Sequence, residues 1–174
     1  MKAFIGAKYR GAIASMVERK TKLTILVLLD GPTLEITKEG IIRRLTPHKK
    51  HVLTLTSDNG KEFSGHPEIS ERLGSAFYFC TPYHSWELGL NENTNRLVRQ
   101  YFPKGTDFAM FIIADVQRVE DLLINRPRKA LNYHSTNEVF AKLTAPPKFM
   151  PLVCELRKSG PGKRGLYKKK LISA

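Results

Sequence analysis

Val52-Leu53-Thr54-Leu55-Thr56-Ser57-Asp58-Asn59-Gly60-Lys61-Glu62-Phe63 changes character at its middle. The first six residues alternate Val, Leu and Thr as a strand does, and Asp-Asn-Gly then forces a turn. An acid is thereby expected at the end of a strand. A second stretch, Trp86-Glu87-Leu88-Gly89-Leu90-Asn91-Glu92-Asn93-Thr94-Asn95, leads into a helix expected over Asn91 to Phe102, with Glu92 in its first turn. Strand ends and helix starts meet at the rim of an α/β sheet, so Asp58 and Glu92 are candidates for one site. Each also has a plainer reading, because Asp-Asn-Gly is a common turn and a first-turn Glu suits the helix dipole.

Outward from this stretch the chain reads as strands first, then strands alternating with helices. Ala12 to Glu18 reads as a buried strand, Arg19-Lys20-Thr21-Lys22 as a basic turn and Leu23 to Leu29 as a second strand, so a hairpin is expected. Asp30-Gly31-Pro32 breaks it, and Thr33 caps a helix to about Leu45 with Ile36, Ile41, Ile42 and Leu45 on one face. Pro67 to Leu73 predicts a short helix and Ala76 to Phe79 another strand. Beyond Pro103-Lys104-Gly105, Asp115 to Asn125 predicts a helix, with Val116, Val119, Leu122 and Leu123 at helical spacing. The fold class expected is α/β, a mixed sheet flanked by helices. The core is expected over residues 1–142; a basic, loosely ordered tail over 143–174 follows from Pro146-Pro147, Ser159-Gly160-Pro161-Gly162 and Lys168-Lys169-Lys170.

A chain of 174 residues fits one medium domain. Its 29 Lys and Arg against 16 Asp and Glu give a formal charge of +13, which favours polyanionic partners, nucleic acid ahead of a membrane surface. Cys80 and Cys154 are lone cysteines, which argues against a disulfide framework or a zinc knuckle and for a reducing, cytoplasmic setting. No apolar run reaches membrane-spanning length. His48, His51, His66, His84 and His134 lack paired spacing for zinc, and neither Ser57 nor Ser85 has the setting of a nucleophile. Glu62 and Glu87 read as solvated. Trp86 and Tyr83 are able to stack on a base, although an aromatic pair beside a strand reads first as core.

The residues that remain are magnesium-type chemistry. Such an ion takes hard oxygen ligands and keeps positions open for water and phosphate, and two of them stabilise both oxygens of a phosphoryl transfer. Asn91, Asn95, Arg96 and Arg99, with Lys61 beyond the Asp58 strand, are the candidate contacts to DNA phosphates. The alternative for the two Asn residues is bracing of the helix start.

The chain resembles the catalytic region of bacterial insertion-sequence transposases of the IS-thirty family, within the retroviral-integrase-like superfamily and its ribonuclease H-like fold. The matches are Val17-Glu18-Arg19-Lys20-Thr21, Ser57 to Phe63, Pro82 to Trp86, Asn91 to Asn95, Arg99 to Phe108, Asn125 to Lys129 and Asn137 to Phe140. The resemblance implies a DDE transposase that uses two divalent ions, Mg2+ or Mn2+, to cut element ends and join them to target DNA. The family's second Asp falls on Asp58 and its Glu on Glu92, which makes both metal ligands and catalytic residues by implication.

The family's first Asp lies on the first strand, shortly before an Ile-Gly pair such as Ile5-Gly6. That puts it near Lys2, where no acid stands. Leu88 replaces a basic residue, and the ending after Phe140 departs from the pattern. The expectation is a core whose first strand is truncated and whose activity is impaired, in a bacterial, nucleoid-associated protein. The implied partners are insertion-sequence ends, target DNA, and a homo-oligomer or mixed oligomer with full-length transposase. A reading from another class is a non-catalytic DNA-binding or regulatory fragment.

Overall fold

The computed structural model of the chain describes residues 1–6, 11–82 and 84–145. Tyr83 and the tail from residue 146 onward lie outside the described residues.

Three antiparallel strands run side by side in the order β1 (Lys2–Ile5), β2 (Ala12–Val17) and β3 (Thr24–Leu29). β4 (Thr54–Ser57) and β5 (Ala76–Phe79) form a parallel pair, with Ser57 opposite Phe79. The Met1 amine donates to the Thr56 carbonyl and joins the two ladders. The expected β2–β3 hairpin is present, and its turn is closed by Glu18. That carboxylate accepts from the Lys20 amide (2.8 Å), the Thr21 hydroxyl (2.6 Å) and the Thr21 amide.

Both faces of β2 and β3 are apolar, and the two-residue period of a strand sorts them into two cores. Ala12, Ala14 and Met16 with Ile25, Val27 and Leu29 face α1 (Leu34–Leu45) and α2 (His66–Leu73), where Ile41, Ile42, Leu45, Ile69 and Leu73 complete the packing. Ile13 and Leu26, with Phe4 of β1, face α3 (Gly89–Tyr101) and α4 (Ile113–Ile124) and meet Val98, Phe102, Val116, Val119 and Leu123. The sheet is thus a middle layer between helices, as near-continuous apolar strands require.

α3 begins at Gly89, earlier than the expected Asn91, because a 3-10 turn at Ser85–Leu88 already winds the chain into it. Leu122, expected on the apolar face of its helix, is 51% exposed. The first strand that the resemblance places before Gly6 is present, and one helix goes beyond the sequence reading. β1 pairs with β2 over all four of its residues, and α5 (Thr136–Thr144) is fixed by a capping box in which Ser135 and Glu138 exchange hydrogen bonds.

Candidate active site

Asp58 follows β4 at the rim of the sheet, and its backbone is pinned on both sides. The Ser57 hydroxyl donates to the Asp58 carbonyl (2.9 Å), the Cys80 amide donates to the Ser57 carbonyl (2.9 Å), and Asn59 Nδ2 donates to the Cys80 carbonyl (3.0 Å). Its carboxylate accepts no hydrogen bond among the described residues and attracts the buried Met1 ammonium. Asp58 Oδ1 is buried and has no hydrogen-bond partner. A buried carboxylate oxygen without a donor is unfavourable, and it is the kind of group a bound cation satisfies.

Glu92 lies in the first turn of α3, exposed, and its carboxylate makes no hydrogen bond or ion pair among the described residues. The approach to that turn is fixed by Glu87, which accepts from the Thr81 amide (3.0 Å) and hydroxyl (3.3 Å), while Arg19 donates to the Glu87 carbonyl (3.3 Å). The Thr81 amide holds the Glu87 carboxyl below its usual range. Glu87, read as solvated from sequence, is therefore a fastener between the hairpin and the start of α3. Burial pushes the neighbouring Cys80 thiol up, with the Glu87 charge adding to it.

The proposed DNA contacts divide. Lys61, three residues past Asp58, and Arg96, one turn past Glu92, are exposed. Asn91 and Asn95 are not: they are 5% and 8% exposed, and the Ser15 hydroxyl of β2 lies 3.2 and 2.8 Å from their side-chain oxygens. They face the sheet, which is the bracing alternative. Arg99 is half-buried with its guanidinium 4.6 Å from the Phe4 ring centre, and it donates to the Phe102 (3.4 Å) and Pro103 (3.2 Å) carbonyls at the end of its own helix. Trp86, read first as core, is 70% exposed and stacks on His84 at 4.3 Å.

Ser15 is the residue beside the candidate site that the sequence reading did not single out. The signal was a lone hydroxyl in Ala-Ile-Ala-Ser-Met-Val, and the structure turns it towards α3. Lys2 pairs with Ser15 in the β1–β2 ladder, so it occupies the same face of the sheet.

No three His, Cys, Asp or Glu side chains gather among the described residues. Two carboxylates with open positions, one carrying an unsatisfied buried oxygen, fit an ion of the magnesium type, which takes one or two protein carboxylates and completes its shell with water and phosphate. Glu92 is exposed and Asp58 half-buried. A cavity of about 290 Å³ lined by Met16, Leu23, Leu45, His48, His51 and Phe140 among others includes neither of them. Among the described residues no helix is long and apolar enough to cross a membrane.

No family model matches the chain. It is 43% identical over 139 residues to the transposase for insertion sequence element IS4351 of Bacteroides fragilis, covering 80% of this chain and 43% of that protein. It is 38% identical over 146 residues to the transposase for IS1086 of Cupriavidus metallidurans, covering 82% and 42%. Against transposase InsI of IS30A from Escherichia coli it is 36% identical over 131 residues, covering 75% and 34%. The chain therefore spans less than half the length of these relatives. Among solved structures, the catalytic core domain of BIV integrase matches with a TM-score of 0.58 at 20% identity, over 82% of this chain and 92% of that one. A chain of the simian T-cell lymphotropic virus intasome in complex with PP2A regulatory subunit B56 gamma matches with a TM-score of 0.63 at 13% identity, over 97% and 58%. The mixed sheet between helix layers is accordingly the ribonuclease H-like fold of integrase catalytic cores, and over three-quarters or more of its length the chain is similar to insertion-sequence transposases, transposase InsI of IS30A among them.

Proposed function

We propose that this chain is a transposase catalytic core acting on DNA, with Asp58 and Glu92 as the metal-holding acids of a phosphoryl-transfer site. The observation that carries the reading is the buried, unpartnered Asp58 Oδ1 at the end of β4. Asp58 and Glu92 would hold Mg2+ or Mn2+. Such an ion, when bound, supplies positive charge to phosphodiester oxygens and lowers the pKa of coordinated water.

The chain's own residues do the rest. The Ser57–Cys80 backbone bond and the Asn59 side chain fix the peptide that carries Asp58. Exposed Lys61 and Arg96 contact phosphates flanking the scissile bond. Asn91, Asn95 and Arg99 shape α3 instead of touching DNA. The substrates are insertion-sequence ends and target DNA, met at the bacterial nucleoid, and the working form is an oligomer of this chain or a mixed one with full-length transposase.

The test is Mn2+ binding by the purified chain together with Mn2+-dependent strand transfer on element-end DNA. Asp58→Asn and Glu92→Gln should each lower Mn2+ affinity, and an affinity unchanged in both would overturn the site. A second reading, a non-catalytic DNA-binding fragment, is favoured by Lys2 standing near the position of the family's first acid. Its signature is salt-sensitive DNA binding that Asp58→Asn leaves unchanged, without strand transfer by the unsubstituted chain.

A further inference from the structure

α3 is held to the sheet in two different ways along its length. Its C-terminal half buries Val98, followed by Phe102, among Phe4, Ile13 and Phe108. Its first turns, where Glu92 sits, bury Asn91, Thr94 and Asn95 instead, so that half has no large apolar anchor on its inner face. The placement of Glu92 over the sheet therefore falls to hydrogen bonds.

Those bonds converge on Ser15, which is fully buried. Its Oγ has three acceptors around it: the Lys2 carbonyl at 3.3 Å, Asn91 Oδ1 at 3.2 Å and Asn95 Oδ1 at 2.8 Å. A hydroxyl has one proton, so it cannot serve all three. Asn91 Nδ2, meanwhile, is buried without a partner. Rotating the Asn91 amide by half a turn turns one of the three acceptors into a donor. Asn91 Nδ2 then donates to Ser15 Oγ, and Ser15 donates to Asn95 Oδ1, the shortest of the three contacts.

From this we infer that Ser15, Asn91 and Asn95 form a positioning network that sets the rotation of α3 and hence the place of the Glu92 carboxylate. The inference rests on the metal-site reading of Asp58 and Glu92. Asn91 precedes Glu92 directly and Asn95 follows it by three residues, so the network grips the helix on both sides of the acid. A rotation of about 20° moves a side chain at the helix's outer radius of about 5–6 Å by about 2 Å. A displacement of that size is enough to pull the Glu92 carboxylate away from an ion held by Asp58, since metal and catalytic constellations tolerate only about 0.5 Å.

The experiment measures Mn2+ affinity by electron paramagnetic resonance on the whole chain, with thermal melts alongside, for Asn95→Ala, Ser15→Ala, Glu92→Gln and the double variant Asn95→Ala/Glu92→Gln. Ser15→Ala removes one oxygen and serves where Asn95→Ala folds poorly. Loss of a group that orients a ligand lowers metal affinity by about 10-fold to 100-fold. The expected result is a loss of about tenfold in Asn95→Ala and in Ser15→Ala, and less than a twofold further loss when Asn95→Ala is added to Glu92→Gln. A merely structural role lowers the melting temperature equally in both backgrounds and leaves no dependence on Glu92. Unchanged Mn2+ affinity in Asn95→Ala and Ser15→Ala, with Glu92→Gln weakened, overturns the network alone. Unchanged affinity in Glu92→Gln overturns the metal site and the network with it.

Discussion

The Leu26 backbone amide of β3 donates to the Glu120 carboxylate of α4 over 2.6 Å, and the other carboxylate oxygen accepts from Arg44 of α1 at 2.5 Å. One side chain thereby covers a free amide of the β3 edge and ties helices from the two opposite layers. An uncovered strand edge is a template for pairing with another chain. Glu120→Ala should destabilise the fold by about 2 kcal/mol, because it strips a charged partner from both the amide and a partly buried guanidinium. Urea unfolding measures the loss, and light scattering should show association that Glu120→Gln reduces, since an amide oxygen still accepts from Leu26.

Glu18 makes the hairpin pH-sensitive. Burial opposes its ionisation, but hydrogen bonds from the Thr21 hydroxyl and the Lys20 and Thr21 amides outweigh that and hold its carboxyl below the usual value. A group whose folded pKa is depressed contributes stability above its unfolded pKa and loses it as pH falls through the folded pKa. Melting temperature should therefore fall below about pH 4.5, the ordinary Glu range, and Glu18→Gln should show a shallower fall over that window. An identical slope in both proteins would remove Glu18 from the hairpin's acid response.

Close packing of α1 on β3 depends on Gly40. A Cβ there would meet Leu29 Cδ2 at 2.6 Å and Val27 Cγ1 at 3.0 Å. Alanine gains about 1 kcal/mol in helix propensity over glycine. Overpacking a filled core loses about 1–3 kcal/mol. Gly40→Ala should thus lower stability on balance, whereas Gly89→Ala, with nothing within 4 Å of its added methyl, should raise it by up to about 1 kcal/mol. Paired urea titrations read the difference in sign.

Which regions of this architecture were legible in the sequence follows from the range of the forces involved. β2, β3, α1 and α4 carry strong apolar patterns, and Asp58-Asn59-Gly60 announces its own turn, so local signals placed them. β1 was harder, being four residues whose strand character comes from pairing with β2. α5 is set by the Ser135–Glu138 capping box and not by a continuous apolar stripe. Within the site, Asn91 and Asn95 carry the same side chains whether they face phosphate or sheet. Only Ser15, about eighty residues away in sequence, decides which, and no local pattern reports that contact.

Lys2 offers the sharpest test of how the site is composed. Its ladder partner is Ser15 and its neighbour two residues on is Phe4, which packs against α3, so Lys2 puts a cation on the same face as the start of that helix. It also stands near the position where the family resemblance expects the first acid. A cation there opposes the binding of a divalent ion, and a carboxylate would favour it, so exchanging one for the other changes the local charge by two. Lys2→Asp should tighten Mn2+ binding by at least about tenfold, a gain of about 1.4 kcal/mol that is modest for two charges near a protein surface. The same variant should gain Mn2+-dependent strand transfer on element-end DNA, and Asp58→Asn should abolish that gain. Lys2→Asn separates the two contributions, since it removes the positive charge without supplying a ligand and should recover only a fraction of the affinity. An affinity in Lys2→Asp no tighter than in Lys2→Asn would mean that this face of β1 does not reach the ion.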